Sequence, residues 1–297
     1  MTYTQQNTSF YSNGHRIAAH LFIPVQGNHP FPAVVIAGPQ AGVKEQTVDH
    51  YATRLAAKGF VTLTFDHATF GASEGQPRFH ENPYLKAEDI SNAVTFLRLH
   101  HHVQPDRVYG LGVCSGGGYL SFAAATDRRI KSVATVSAYF DHRGFYQTIM
   151  GREGVLDVLE LGNKARETYQ QTGEISYLPH APESDSEDMP RLFREFYDYY
   201  MTPRGQKGRY ESKFLPWSFA SLANFSALDI AENLSPTPLL MIVGSEADSA
   251  YESEQMLRAT AGAGKLEVIQ GSNHVGLYDV AEYVDQAVDK IAAHFTD

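Results

Sequence analysis

The chemistry-bearing stretch is Val108 to Ser121, VYGLGVCSGGGYLS, in which a short apolar run breaks into glycines and then becomes helix-like. Within it, Gly112-Val113-Cys114-Ser115-Gly116 fits G-x-nucleophile-x-G, a strained strand-to-helix turn whose flanking residues must be tiny. Cys114 occupies the nucleophile slot. Were Ser115 the nucleophile, the residue two before it would be Val113, whose β-branched side chain crowds a turn that wants glycine. Ser115 is therefore the second choice, and a small buried cysteine packing a glycine turn is the third reading. The positive end of a helix starting near Gly117 would favour the thiolate of Cys114.

A cysteine nucleophile needs a base to take its proton and a carboxylate to orient that base. Of 13 histidines, His274 has the best context: Gly271-Ser272-Asn273-His274 is a turn-rich loop between the last strand and the final helix. The acid is sought after the strand Pro238 to Val243, where Gly244-Ser245-Glu246-Ala247-Asp248 offers two carboxylates. Asp248 is the first choice, Glu246 the reserve and Asp141 a weaker third. The order Cys114, Asp248, His274 is nucleophile, acid, histidine. Backbone N–H groups of Ser115 and Gln40 are the candidate oxyanion donors, since Gly38-Pro39-Gln40-Ala41-Gly42 lets backbone approach substrate and Pro39 has no N–H. Asp66 and His67 face the same rim, with a turn role preferred for Asp66.

The elements that must hold these residues alternate. Phe10 to Pro24 reads as a hairpin around Asn13-Gly14, followed by a strand Ala33 to Ile36, a helix Gln46 to Lys58 and a strand Val61 to Phe65. A helix Leu85 to Leu99, a turn at Pro105-Asp106, the elbow strand and its helix, and a strand Ile130 to Val136 come next. After the strand Pro238 to Val243 come a helix Glu252 to Ala261, a strand Lys265 to Ile269 and a closing helix with Val280, Val284, Val288 and Ile291 on one face. Such alternation predicts an α/β fold, a mostly parallel doubly wound sheet with ligands at the carboxyl ends of its strands.

Between residues 139 and 236 the alternation stops. This segment reads as a helical cap inserted into a core made of residues 1–138 and 237–297. It contains an aromatic stripe, Phe193, Phe196, Tyr197 and Tyr200, at helical spacing, and a solvated loop, Glu183 to Asp188. Tyr199, Tyr200 and Trp217 are the candidate pocket residues.

Composition excludes several classes. A net charge of -10 disfavours nucleic acid and anionic membrane as partners. One cysteine cannot form an internal disulfide, no run is long enough to span a bilayer, and MTYTQQNTSFYSN lacks the features of a secretory signal, so the expected compartment is the cytoplasm. No Cys/His zinc spacing occurs, and the run His100-His101-His102 is not read as a metal site. The sequence leaves a homo-oligomer open.

The motifs GVCSGGGY, GPQAGVKEQ, FDHATFGASEGQPR, YYMTPRGQ and GSNHVGLYD resemble, over nearly the whole chain, an α/β-hydrolase subfamily related to dienelactone hydrolase that includes YcjY-like hydrolases and fungal polyketide transferases. The resemblance implies an α/β-hydrolase fold, no cofactor, and acyl transfer through Cys114, Asp248 and His274. Gln40 and Ala41 stand where relatives often have glycines. The expected activity is hydrolysis of a carboxylic ester, lactone or thioester of a small-molecule acyl substrate. The alternatives are an acyltransferase with the same triad and a catalytically silent binding protein.

Overall fold

The computed structural model describes residues 2–260 and 264–296. Eight strands form one sheet: β1 (Tyr3–Ser12), β2 (His15–Pro24), β3 (Phe31–Ala37), β4 (Val61–Phe65), β5 (Val103–Val113), β6 (Ile130–Val136), β7 (Leu239–Gly244) and β8 (Gly264–Ile269). Their order is β1-β2-β4-β3-β5-β6-β7-β8, antiparallel for β1 with β2 and β2 with β4, and parallel elsewhere. Asn13 and Gly14, both at positive φ, make the tight turn of the opening hairpin. The expected turn at Pro105-Asp106 lies instead inside β5. There the register jumps, Phe31 pairing with Val103 and Ala33 with Val108, so the extra residues bulge and the proline forfeits no ladder bond.

Helices cover both faces. α1 (Thr47–Ala57), α2 (Pro83–Leu99) and α3 (Ser115–Thr126) follow β3, β4 and β5, and α7 (Ala250–Ala259) follows β7. The expected end of that helix, Ala261, lies outside the described residues. After β8 come a single turn, α8 (Gly276–Asp279), and the closing α9 (Ala281–Thr296). Val35 packs on one side of the sheet with Leu21, Val94 and Leu120, while Val34 and Ile36 pack on the other with Leu111, Val284 and Ile291. Both faces of the central strands are dry, which is why they read as unbroken apolar runs.

Residues 139–236 carry α4 (His142–Thr172), α5 (Arg191–Tyr200), a short α6 (Phe219–Leu222) and two 3-10 turns. α4 breaks at Gly151, whose φ of 67° is not helical. Among the described residues no helix is long and apolar enough to cross a membrane.

Candidate active site

Cys114 joins β5 to α3 at φ 56° and ψ -129°, a conformation that costs a non-glycine residue energy and persists only where its surroundings enforce it. Here the glycines do so. A Cβ on Gly112 would stand 2.5 Å from the Gly116 carbonyl oxygen, and one on Gly116 would stand 2.4 Å from that of Ala37. The turn therefore tolerates no side chain at either place. The expected helix start near Gly117 moves back to Ser115, immediately after Cys114.

Polar groups converge on the Cys114 sulfur. The Tyr278 hydroxyl, the backbone amides of Ser115 and Gln40 and the Ser115 hydroxyl all favour its thiolate, yet burial outweighs them and pushes the thiol up from its ordinary value. The helix end thus does not prime a resting thiolate, contrary to the expectation from the helix dipole, because Cys114 is only 5% exposed. Gln40 lies in the loop after β3, and its side-chain Oε1 accepts from the Tyr146 hydroxyl at 3.3 Å. That side chain is engaged with the wall, leaving the backbone N–H as its contribution near the sulfur.

His274 follows β8 on a loop pressed against the end of β7: a Cβ on Gly244 would lie 2.1 Å from the Ser272 carbonyl oxygen, and the Glu246 amide donates to that same oxygen at 2.9 Å. The Ser137 hydroxyl donates to the His274 carbonyl at 3.1 Å. His274 Nε2 pairs with the Tyr278 hydroxyl at 3.0 Å and Nδ1 with Ser249 Oγ at 2.6 Å. Tyr139, Phe196 and Tyr278 ring the imidazole, and burial alone pushes it down to about 3. It is neutral at pH 7. Either neutral tautomer satisfies both contacts; the one in which Nε2 accepts from the Tyr278 hydroxyl has Nδ1–H donating to Ser249.

The carboxylates proposed from sequence are not brought to this imidazole. Asp248 is exposed, and Glu246 is exposed and paired with Arg191 at 3.4 Å. Asp141 sits at the N-terminus of α4, where Gly144 packs on it, and its Oδ1 is buried without a hydrogen-bond partner. The loop after β7 turns Ser245 and its acidic residues to water and Ser249 inward: Ser249, 1% exposed, precedes α7. Sequence reasoning missed Ser249 by searching only for carboxylates, and missed Tyr278 although it lies only four residues after His274, in the single turn α8. Asp66 is fully buried and holds Lys44 Nζ at 2.9 Å, a structural role; His67 contacts Asp89 at 3.1 Å.

A cavity of about 230 Å³ opens at Cys114 and Ser115. Phe145, Tyr146, Phe193, Phe196, Phe214 and Phe219 bring aromatic walls to it from residues 139–236. Of the expected pocket residues only Tyr200 lines it. Tyr199 is fully buried behind, edge-on to Tyr200 and Tyr278, and Trp217 packs on Tyr169 and under Arg166, so core packing claims both rings. Of the aromatic stripe, Phe193, Phe196 and Tyr200 reach the cavity, whereas Tyr197 faces a polar surface hollow with Arg194 and Asp198.

Beside the elbow lies a second buried polar cluster. Tyr119 donates to Glu81 at 2.8 Å, Glu81 pairs with Lys86 at 2.7 Å and accepts from the Ala41 amide at 2.8 Å, and the Tyr119 ring stacks on His142. The ion pair braces the loop that carries Gln40. Burial pushes His142 down to about 4.

The comparisons with known proteins agree with this fold. Residues 13–183 match the family described as X-Pro dipeptidyl-peptidase (S15 family). The chain is 34% identical to YcjY of Escherichia coli (strain K12) over 271 residues, which cover 90% of this chain and 89% of YcjY. It is 35% identical to protein PA2218 of Pseudomonas aeruginosa over 292 residues, 96% of this chain and 78% of that protein. The crystal structure of PA2218 superposes with a TM-score of 0.92, covering 99% of this chain and 94% of that one. The α/β hydrolase GrgF from Penicillium, 20% identical, superposes at 0.81 over 99% of this chain and all of its own. The protein is therefore an enzyme of α/β-hydrolase type, and the chain belongs to the family described as X-Pro dipeptidyl-peptidase (S15 family).

Proposed function

We propose that this enzyme cleaves esters, lactones or thioesters through Cys114, with His274 as base, Tyr278 as the proton relay between them and Ser249 as the residue that orients His274. The carrying observation is the convergence on one sulfur of a strained elbow, the Ser115 and Gln40 amides and the Tyr278 hydroxyl. As the sulfur attacks the carbonyl carbon, its proton passes to the Tyr278 oxygen while the Tyr278 proton passes to His274 Nε2. The new C–S bond leaves an oxyanion that the two amides hold. Collapse breaks the bond to the leaving alkoxide or thiolate, which takes the proton back from His274 through Tyr278. Water then attacks the acyl-sulfur bond by the same route, releasing the acid and restoring the thiol.

Ser249 replaces a carboxylate in this scheme. It holds the ring in place and can accept from Nδ1–H without supplying a negative charge, so the imidazolium formed during attack is stabilised less than beside an aspartate. A thiol tolerates this better than a serine hydroxyl, because its proton is far easier to remove. Residues 139–236 act as the cap that shapes the acyl pocket. Two relatives support the reaction class: the chain is 26% identical to a protein named thiohydrolase aneE from Aspergillus aculeatus, and 25% identical to one named polyketide transferase claH from Penicillium crustosum. Transfer to an alcohol is the second reading, favoured by a cavity whose wall is largely aromatic and so suits an organic acceptor. Product analysis with a p-nitrophenyl ester and a matched thioester, with and without added alcohol, tests both. Free acid alone supports hydrolysis, a new ester supports transfer, and no turnover of either substrate contradicts the proposal.

A further inference from the structure

We infer that the acyl group this enzyme accepts is an uncharged arylalkanoyl group of about nine heavy atoms, of the size and shape of phenylacetyl or 3-phenylpropanoyl. The inference rests on the proposed acyl chemistry at Cys114 and adds the substrate class. Its basis is the cavity wall, which among the described residues contains no lysine, arginine, aspartate or glutamate. The wall's two imidazoles, His142 and His180, are both pushed down to about 4 by burial and so carry no charge at pH 7. The charged pair beside the elbow, Glu81 and Lys86, is closed on itself and on Tyr119.

A carboxylate or ammonium brought into such a cavity loses its water and finds no countercharge, a large penalty. An acyl group with a second carboxylate is therefore rejected, and so is a peptide presenting a free amino terminus, although the family description names a peptidase. Size follows from volume. An engineered apolar cavity of ~150 Å³ takes one benzene. In proportion, the 230 Å³ found here takes a ring and about three further heavy atoms. The wall matches a ring in kind as well, since the faces and edges of Phe145, Phe193, Phe196, Phe214 and Phe219 offer stacked and edge-on contacts. Phe196 also touches the His274 ring, so the aryl pocket adjoins the base.

Equilibrium binding separates this inference from the cysteine chemistry. Isothermal titration at pH 8 would compare 4-phenylbutan-2-one with 3-phenylpropionate, a neutral and an anionic probe of one shape, on the unaltered protein and on Cys114→Ala. The ketone should bind at least tenfold tighter to both proteins. Ile149→Arg places a cation on the wall at a position that is 39% exposed and so accommodates the longer side chain. It should narrow or reverse the preference. Equal affinity for the two probes on the unaltered protein, or an unchanged preference in Ile149→Arg, would overturn the inference. Preferential ketone binding with no turnover of any phenylpropanoyl ester or thioester would uphold the pocket assignment and count against the proposed reaction instead.

Discussion

His274 Nδ1 meets Ser249 Oγ at 2.6 Å, in the place where a carboxylate was expected, while Asp248, one residue earlier, points into water. Ser249→Ala should therefore lower kcat/KM by about 10- to 100-fold, the range for losing one buried hydrogen bond that holds the reacting imidazole. Asp248→Asn should change it by less than about threefold. Steady-state kinetics on the two variants decide the matter, and the reverse ranking would return the orienting role to Asp248.

Tyr278 is the link between base and nucleophile, its hydroxyl on His274 Nε2 at 3.0 Å and facing the Cys114 sulfur. Tyr278→Phe keeps the ring packed on Tyr199 and His274 and removes only the relay. Turnover should drop by about 10²- to 10⁴-fold, the usual worth of positioned proton transfer. A variant with wild-type kcat would show that imidazole reaches the thiol without it.

The glycines of the elbow give a folding prediction. Gly116→Ala would drive a methyl to 2.4 Å from the Ala37 carbonyl, a contact between two backbones that neither side chain can relieve. It should cost at least ~2 kcal/mol in chemical denaturation. Stability within about 0.5 kcal/mol of the parent would mean the turn is looser than described.

Acid should weaken the fold in a predictable window. His142 and His274 are buried neutral, at about 4 and about 3, against an ordinary 6.5. The unfolded chain therefore binds more protons below pH 6.5, and the stability present above that value is lost as pH falls towards 4. Glu252, held up at about 7 by burial, works oppositely between pH 4.5 and 7. His142→Phe, which can still stack on Tyr119, should reduce the dependence between pH 6.5 and 5 by up to about 1.4 kcal/mol per pH unit. An unchanged slope in urea melts would mean His142 is protonated in the native state.

Much of this architecture was legible because it rests on period and spacing. The strands Val61–Phe65 and Ile130–Val136 fall where their apolar runs place them, and Asn13-Gly14 turns the hairpin. Gly112 and Gly116 marked the elbow because only glycine fits there. What stayed hidden was which way short loop side chains point. Glu246, Asp248 and Ser249 lie within four consecutive positions, and only the packing of the loop after β8 against Gly244 decides that the serine turns inward. The pocket was hidden for a like reason, since Trp217 and Tyr199 are as aromatic as Phe214 and Phe219 and differ only in which layer of the segment they fill.

The central claim is that Cys114, not Ser115, carries the acyl group. Mass spectrometry of peptides from enzyme quenched during turnover of an activated phenylacetyl ester measures it directly. The adduct should sit on Cys114. Cys114→Ala should show neither adduct nor turnover, while Ser115→Ala, which keeps its backbone amide, should remain within about tenfold of the parent. An adduct on Ser115, with Cys114→Ala still active, would contradict the account.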